Sequence, residues 1–106
     1  MLDSEGREVP RDIYFLILGG MPNAKPRTRR RVRGLWRNLA EKQEHRNDGL
    51  NYTAWKFSGF VESGDLDRTV AAKLLALACR ANGYLKVDGP DVVREVIGRV
   101  LKWQRE

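Results

Sequence analysis

Five arginines, Arg29, Arg30, Arg31, Arg33 and Arg37, crowd into nine residues of this 106-residue chain. Guanidiniums so close together repel one another unless an anion answers them. Arg rather than Lys at all five positions favours planar, bidentate contact with phosphate. With Lys25 just upstream they belong to a stretch, residues 25–57, whose net charge of +7 exceeds the +6 of the whole chain. The residues before it sum to −2 and those after it to +1. Basicity concentrated in this way points to nucleic acid or a phosphate-rich ligand, against the plainer reading of a solvated helix face. Two more features share the stretch. Arg46-Asn47 stands at the entrance of a new helical pattern, where free N–H groups and a partial positive charge receive phosphate readily. The plainer reading there is that Asn47 or Asp48 caps the helix and Arg46 pairs with an acid. Tyr52 and Trp55 fall off that helix's apolar stripe. They are placed either to stack on unpaired bases or to be buried if the helix is central.

The elements that must carry these groups read as short helices. Residues 1–9 are polar, charged and aperiodic, a tail or linker ahead of a single domain over residues 10–106. Pro10 suits a first helical turn, and Arg11 to Leu18 form a short helix stopped by Gly19-Gly20; the apolar run Ile13 to Leu18 taken alone fits a buried strand equally well. Residues 20–27, with two prolines, read as loop. Thr28 is the N-cap expected for the second helix, where Val32, Leu35, Trp36 and Leu39 repeat at helical spacing. At 100° per residue Arg30, Arg33 and Arg37 share an arc of about 60° beside that stripe. Arg29 lies between the two, and Arg31 and Lys42 lie on the far flank. A third helix from Asn47 or Asp48 buries Leu50, Ala54, Phe57 and Val61. A turn ending in the cap candidate Asp67 leads to a fourth helix with Val70, Leu74, Leu77 and Ala78. Asn82-Gly83 stops it, with Tyr84 placed for a C-cap contact. Asp88-Gly89-Pro90 opens a fifth, with Val93, Val96, Ile97, Val100 and Leu101 on one face. The fold class is all-α, a compact bundle of about five short helices.

Several chemistries are excluded or disfavoured. One cysteine, Cys79, and one histidine, His45, supply neither an internal disulfide nor a structural zinc site, and no Ser/His/Asp or Cys/His constellation. Cys79 reads as a small buried hydrophobe, and a reducing, cytoplasmic setting is expected. Asp65-Leu66-Asp67 looks like a two-metal carboxylate pair, but Asp67 belongs to a helix cap and no third ligand is near in the pattern. The P-loop spacing is absent after Gly19-Gly20. The longest apolar run, six residues, falls short of the roughly 20 that span a bilayer.

From about Val9 onward the chain resembles the helical accessory domain that follows the catalytic core in phage- and plasmid-type primase-polymerases of the archaeo-eukaryotic primase superfamily. Val9-Pro10-Arg11-Asp12-Ile13 resembles the family's proline-led helix leaving the core. Arg46-Asn47-Asp48-Gly49-Leu50 followed by Ala54 resembles its R-N-x-x-L-x-x-x-A pattern. Glu62 to Asp67 resembles its turn, and Ala78–Gly83 with Val96-Ile97 its last two helices. The resemblance implies a non-catalytic module, in a bacterial or archaeal host, that grips single-stranded template DNA and the initiating nucleotide during primer synthesis. It implies no intrinsic cofactor, with ATP or another NTP and Mg2+ as ligand, and a catalytic core in cis or trans as partner. The core's metal-binding acids and histidine have no counterpart here, and a chain this short has no room for that core. The run Thr28 to Arg33 is richer in Arg than the family.

The expected roles follow. Lys25, Arg29, Arg30, Arg33 and Arg37 hold backbone phosphates, Tyr52 and Trp55 stack on bases, and Arg46 with Asn47 takes a triphosphate. Two alternatives remain open: a helix-turn-helix regulator of duplex DNA built from the fourth and fifth helices, and a protein–protein adapter dimerising through Trp36, Trp55 and Trp103.

Overall fold

The structure, a computed structural model, describes residues 9–88 and 90–101. Within them lie α1 (Arg11–Gly20), α2 (Pro26–Ala40), α3 (Arg46–Glu62), α4 (Arg68–Ala81), α5 (Tyr84–Asp88) and α6 (Pro90–Leu101). The described residues are all-α, with short connections. No helix among them is long and apolar enough to cross a membrane.

The fourth helix is the hub, since α1, α2, α3, α5 and α6 all pack on it. Its sequence explains why. Ala71, Leu74, Leu75, Ala78 and Cys79 are buried, and Ala72 and Ala76 pack beside them. Small side chains alternating with leucines let neighbours approach from several directions. One polar tie crosses this core: the Trp36 indole N–H donates to the Leu74 carbonyl at 2.9 Å, so α2 is fixed on α4 in both rotation and height. Trp36 is thereby spent inside the core, and Trp103 lies outside the described residues.

Local chemistry sets most helix ends, with some departures from the sequence pattern. Asp67 caps α4 as expected, its carboxylate accepting from Val70 N–H at 3.1 Å. Asp67 N–H also donates to Gly20 O at 2.9 Å, which pins the end of α1 to the start of α4. The glycine pair therefore lies within α1 rather than after it. Thr28 does not cap α2. Pro26 occupies the first turn, where its missing N–H costs nothing, and Lys25 takes the cap position, accepting from the N–H groups of Thr28 and Arg29. Neither Asn47 nor Asp48 caps α3. His45 does so with a left-handed φ of 55° and no side-chain bond. Val9, placed in the tail by its sequence context, is buried in the core. The expected fifth helix appears as α6, and between it and α4 the chain inserts α5, too short to show a period of its own.

Candidate nucleic-acid interface

The second helix turns its apolar stripe, Val32, Trp36 and Leu39, into the core. That leaves a basic flank on either side, and the two flanks are used differently. On the side toward α1, Arg33 lies over the Tyr14 ring at 5.5 Å, a cation–π contact that occupies the guanidinium's face. Arg29 reaches back to the α1–α2 loop, its Nε–H donating to Met21 O at 2.9 Å. Arg37 donates to Glu41 Oε2 at 2.6 Å one turn on. Three of the four arginines expected to form one phosphate stripe thus have internal partners, and Arg30 is the exposed member. Lys25 is also exposed, at the head of the helix.

On the other flank, Arg27 and Arg31 are exposed, and Lys42 is half-buried. Among the described residues no ion pair or side-chain hydrogen bond holds Arg27, Arg30 or Arg31. Arg31, Leu35, Asn38 and Lys42 stand at i, i+4, i+7 and i+11, a single row along α2. Three of the row, Leu35, Asn38 and Lys42, line a groove of about 390 Å³ together with Leu39, Tyr52 and Thr53. Of this row the sequence placed Arg31 and Lys42 on the far flank; its opposite wall was not visible.

That wall is α3. Tyr52 and Trp55 are 54% and 64% exposed, so the burial that a central helix could have imposed on them does not occur. Both rings share one cation: the Lys56 ammonium lies 5.8 Å from the Tyr52 ring and 5.7 Å from the Trp55 ring. The rest of α3 is occupied by packing on α2, α4 and α6, with Leu50, Thr53, Ala54 and Phe57 buried. Lys56 was not singled out by sequence reasoning. Its spacing of four from Tyr52 and one from Trp55 is the signal that would have found it.

Arg46 and Asn47 point elsewhere. The Arg46 Nη1 donates to Asn82 O at 2.7 Å, closing on the turn between α4 and α5. Asn82 is buried, and its Nδ2 donates to Leu39 O at 2.8 Å while its Oδ1 accepts from Tyr84 N–H at 2.9 Å. The Tyr84 hydroxyl returns to Asn47 Oδ1 at 3.0 Å. Gly83 sits between them at φ +85°, a conformation that favours glycine, and a Cβ there would stand 3.3 Å from Arg46 Nη1 and crowd it slightly. The pair that looked like a phosphate site is part of a latch joining the end of α2, the start of α3 and the α4–α5 turn. The plainer expectation, Arg46 paired with an acid, is corrected, because its partner is a carbonyl.

Among the described residues neither of the remaining chemical candidates gains a catalytic or metal-ligating partner. Cys79 is buried, and burial pushes its thiol up from 9.0 to about 12, which leaves it protonated and unreactive at neutral pH. Asp65 accepts from the Ser63 hydroxyl at 3.2 Å while Asp67 caps α4. Among the described residues no group of three or more His, Cys, Asp or Glu side chains converges as metal ligands would. Comparisons with protein-family models, curated proteins and solved structures find no match for this chain.

Proposed function

We propose that this chain is a non-catalytic helical module that binds single-stranded nucleic acid, and that it serves template gripping in a primase-polymerase system. The observation that carries the strand-binding part is the pairing of exposed guanidiniums on α2, Arg27, Arg30 and Arg31, with no partner among the described residues, and exposed rings on α3, Tyr52 and Trp55. Guanidiniums answer the backbone, and rings stack on bases whose faces only a single strand offers. The priming context rests on the resemblance carried by Arg46-Asn47-Asp48-Gly49-Leu50 and Ala54. The triphosphate role given to Arg46 and Asn47 gains no support from their geometry, since both spend side-chain atoms on the latch.

The competing readings have less to stand on. A helix-turn-helix wants a turn of about 3–4 residues between its two helices, whereas α5 separates α4 from α6. An adapter built on tryptophans has lost Trp36 to the core.

The test is a fluorescence-anisotropy titration with single-stranded and duplex DNA of matched length at two salt concentrations, with and without ATP. About five neutralised phosphates on a single strand give a log–log salt slope near −3.5. Single-strand preference with that slope is the expected result. Duplex preference, a flat slope or no binding at low salt overturns the reading. The priming context is tested separately, by adding the module in trans to a primase-polymerase core and measuring primer yield; an unchanged yield removes it.

A further inference from the structure

The groove between α2 and α3 has features that phosphate contact and surface stacking do not require. We infer that it seats one base of a bound single strand, with the strand's phosphates passing over the cations at its two ends. This rests on the strand-binding reading and adds to it the place where one nucleotide is held.

The dimensions agree with such an occupant. At about 390 Å³ the groove lies at the low end of the roughly 300–1,000 Å³ typical of small-molecule sites. Its floor and one wall are apolar, from Leu35 and Leu39. Tyr52 supplies an aromatic wall that is more than half exposed, so its ring still has area to give to a ligand. Asn38 and Thr53 add a carboxamide and a hydroxyl to the lining, the kind of groups that read a base edge.

The depth at one end has a specific cause. A Cβ at Gly49 would overlap the Lys42 stem. The absence of a side chain there lets Lys42 lie down on the α3 backbone. Arg31 continues the α2 row one turn before Leu35, and Lys56 continues the α3 row one turn after Tyr52. Arg31 therefore extends the α2 row at the end opposite Lys42. Cations at both ends of an apolar and aromatic slot match a base flanked by a phosphate on each side, as in a strand. A free nucleotide carries its phosphates on one side only, so the symmetry of charge favours the strand.

The experiment uses the full chain and two strands of equal length and charge, oligothymidylate and an abasic strand. Asn38→Phe fills the groove from an exposed position and leaves every cation and Trp55 in place. The expected result is a loss of about fivefold to 150-fold in affinity for oligothymidylate, the range for one base stack, with affinity for the abasic strand and the salt slope unchanged. Tyr52→Ala, at an exposed position, repeats the test without adding bulk and is expected to show the same selective loss. Thermal melts of both variants confirm that each remains folded. Wild-type affinity for oligothymidylate in both variants overturns the groove assignment and leaves strand binding standing. Equal losses for both strands overturn it too, because they show that backbone contacts were disturbed. Failure of the wild-type chain to bind either strand overturns both readings. Displacement of oligothymidylate by Mg-ATP from wild type but not from Asn38→Phe transfers the groove to a free nucleotide and overturns the inference.

Discussion

The entrance and the middle of α3 handle polar chemistry in opposite ways. At its entrance, Arg46 and Asn47 are tied to Asn82 and Tyr84, and through Asn82 to Leu39 on α2. Two turns later the Lys56 ammonium lies near both the Tyr52 and the Trp55 ring, and the two rings are left largely to solvent. Both segments carry residue types that nucleic-acid surfaces use. The difference lies in residual bonding capacity. A guanidinium on a buried carbonyl contributes to the uniqueness of the fold, and recruiting it to a ligand would orphan that carbonyl. A ring that is 64% exposed loses nothing structural when a base covers it. Residue type nominates a site, and the bonds already made decide which nominations remain available.

The comparison breaks most visibly at Asn82. Asn82→Ala removes two buried hydrogen bonds, to Leu39 O and from Tyr84 N–H, while Leu39 O keeps its bond from Lys42 N–H, and is expected to cost about 2–4 kcal/mol in urea denaturation. Strand affinity of the folded fraction should be unchanged. Arg46→Ala removes one charged hydrogen bond, worth about 1.5–3 kcal/mol of stability, and should change affinity for strand or ATP by less than about twofold. Cys79 gives an independent readout, since its buried, protonated thiol reacts with an aromatic disulfide reagent only when the core around α4 opens. Labelling should be faster in Arg46→Ala than in wild type. If stability and labelling hold while ATP or strand affinity collapses, the roles assigned to the entrance and the middle of α3 are reversed. Trp55→Ala should show the mirror image: about 1–3 kcal/mol lost in single-strand binding, and a change in stability within about 0.5 kcal/mol, as for exposed positions generally.

The sequence made the local features legible and hid the distant ones. Asp67 was recognisable as a cap because its acceptor and donor lie three residues apart. The stripe Val32, Trp36 and Leu39 was legible because helical periodicity is also local. Thr28 misled because Pro26, two residues earlier, already satisfies the first turn. The five residues of α5 are fewer than two turns, too few for a period to register. Long-range partners were invisible. Arg46 and its acceptor are 36 residues apart, and Asn82 and Leu39 are 43 apart. Likewise the arc that grouped Arg30, Arg33 and Arg37 was sound geometry for a helix, yet nothing in it revealed that Tyr14 would sit under Arg33. The groove was half legible, as one row on α2 whose facing wall required the tertiary fold.

The smallest effect tests whether the α1-side flank of α2 still contributes to binding despite its internal contacts. Glu41 holds Arg37 through an exposed i, i+4 pair at the C-terminal end of α2. Such pairs contribute roughly 0.2–1 kcal/mol at most, and an acid near a helix C-terminus is opposed by the helix dipole. Glu41→Gln should therefore leave the melting temperature nearly unchanged. It also removes one negative charge from the basic surface and releases Arg37 toward solvent. If a polyanion lies along this face, affinity for a single strand should rise about twofold to threefold at low salt, with the gain fading as salt screens the added charge. If the strand keeps to the α3 side alone, the substitution should leave affinity unchanged at every salt concentration, and Arg30, Arg33 and Arg37 would then serve the fold and its solubility rather than the ligand.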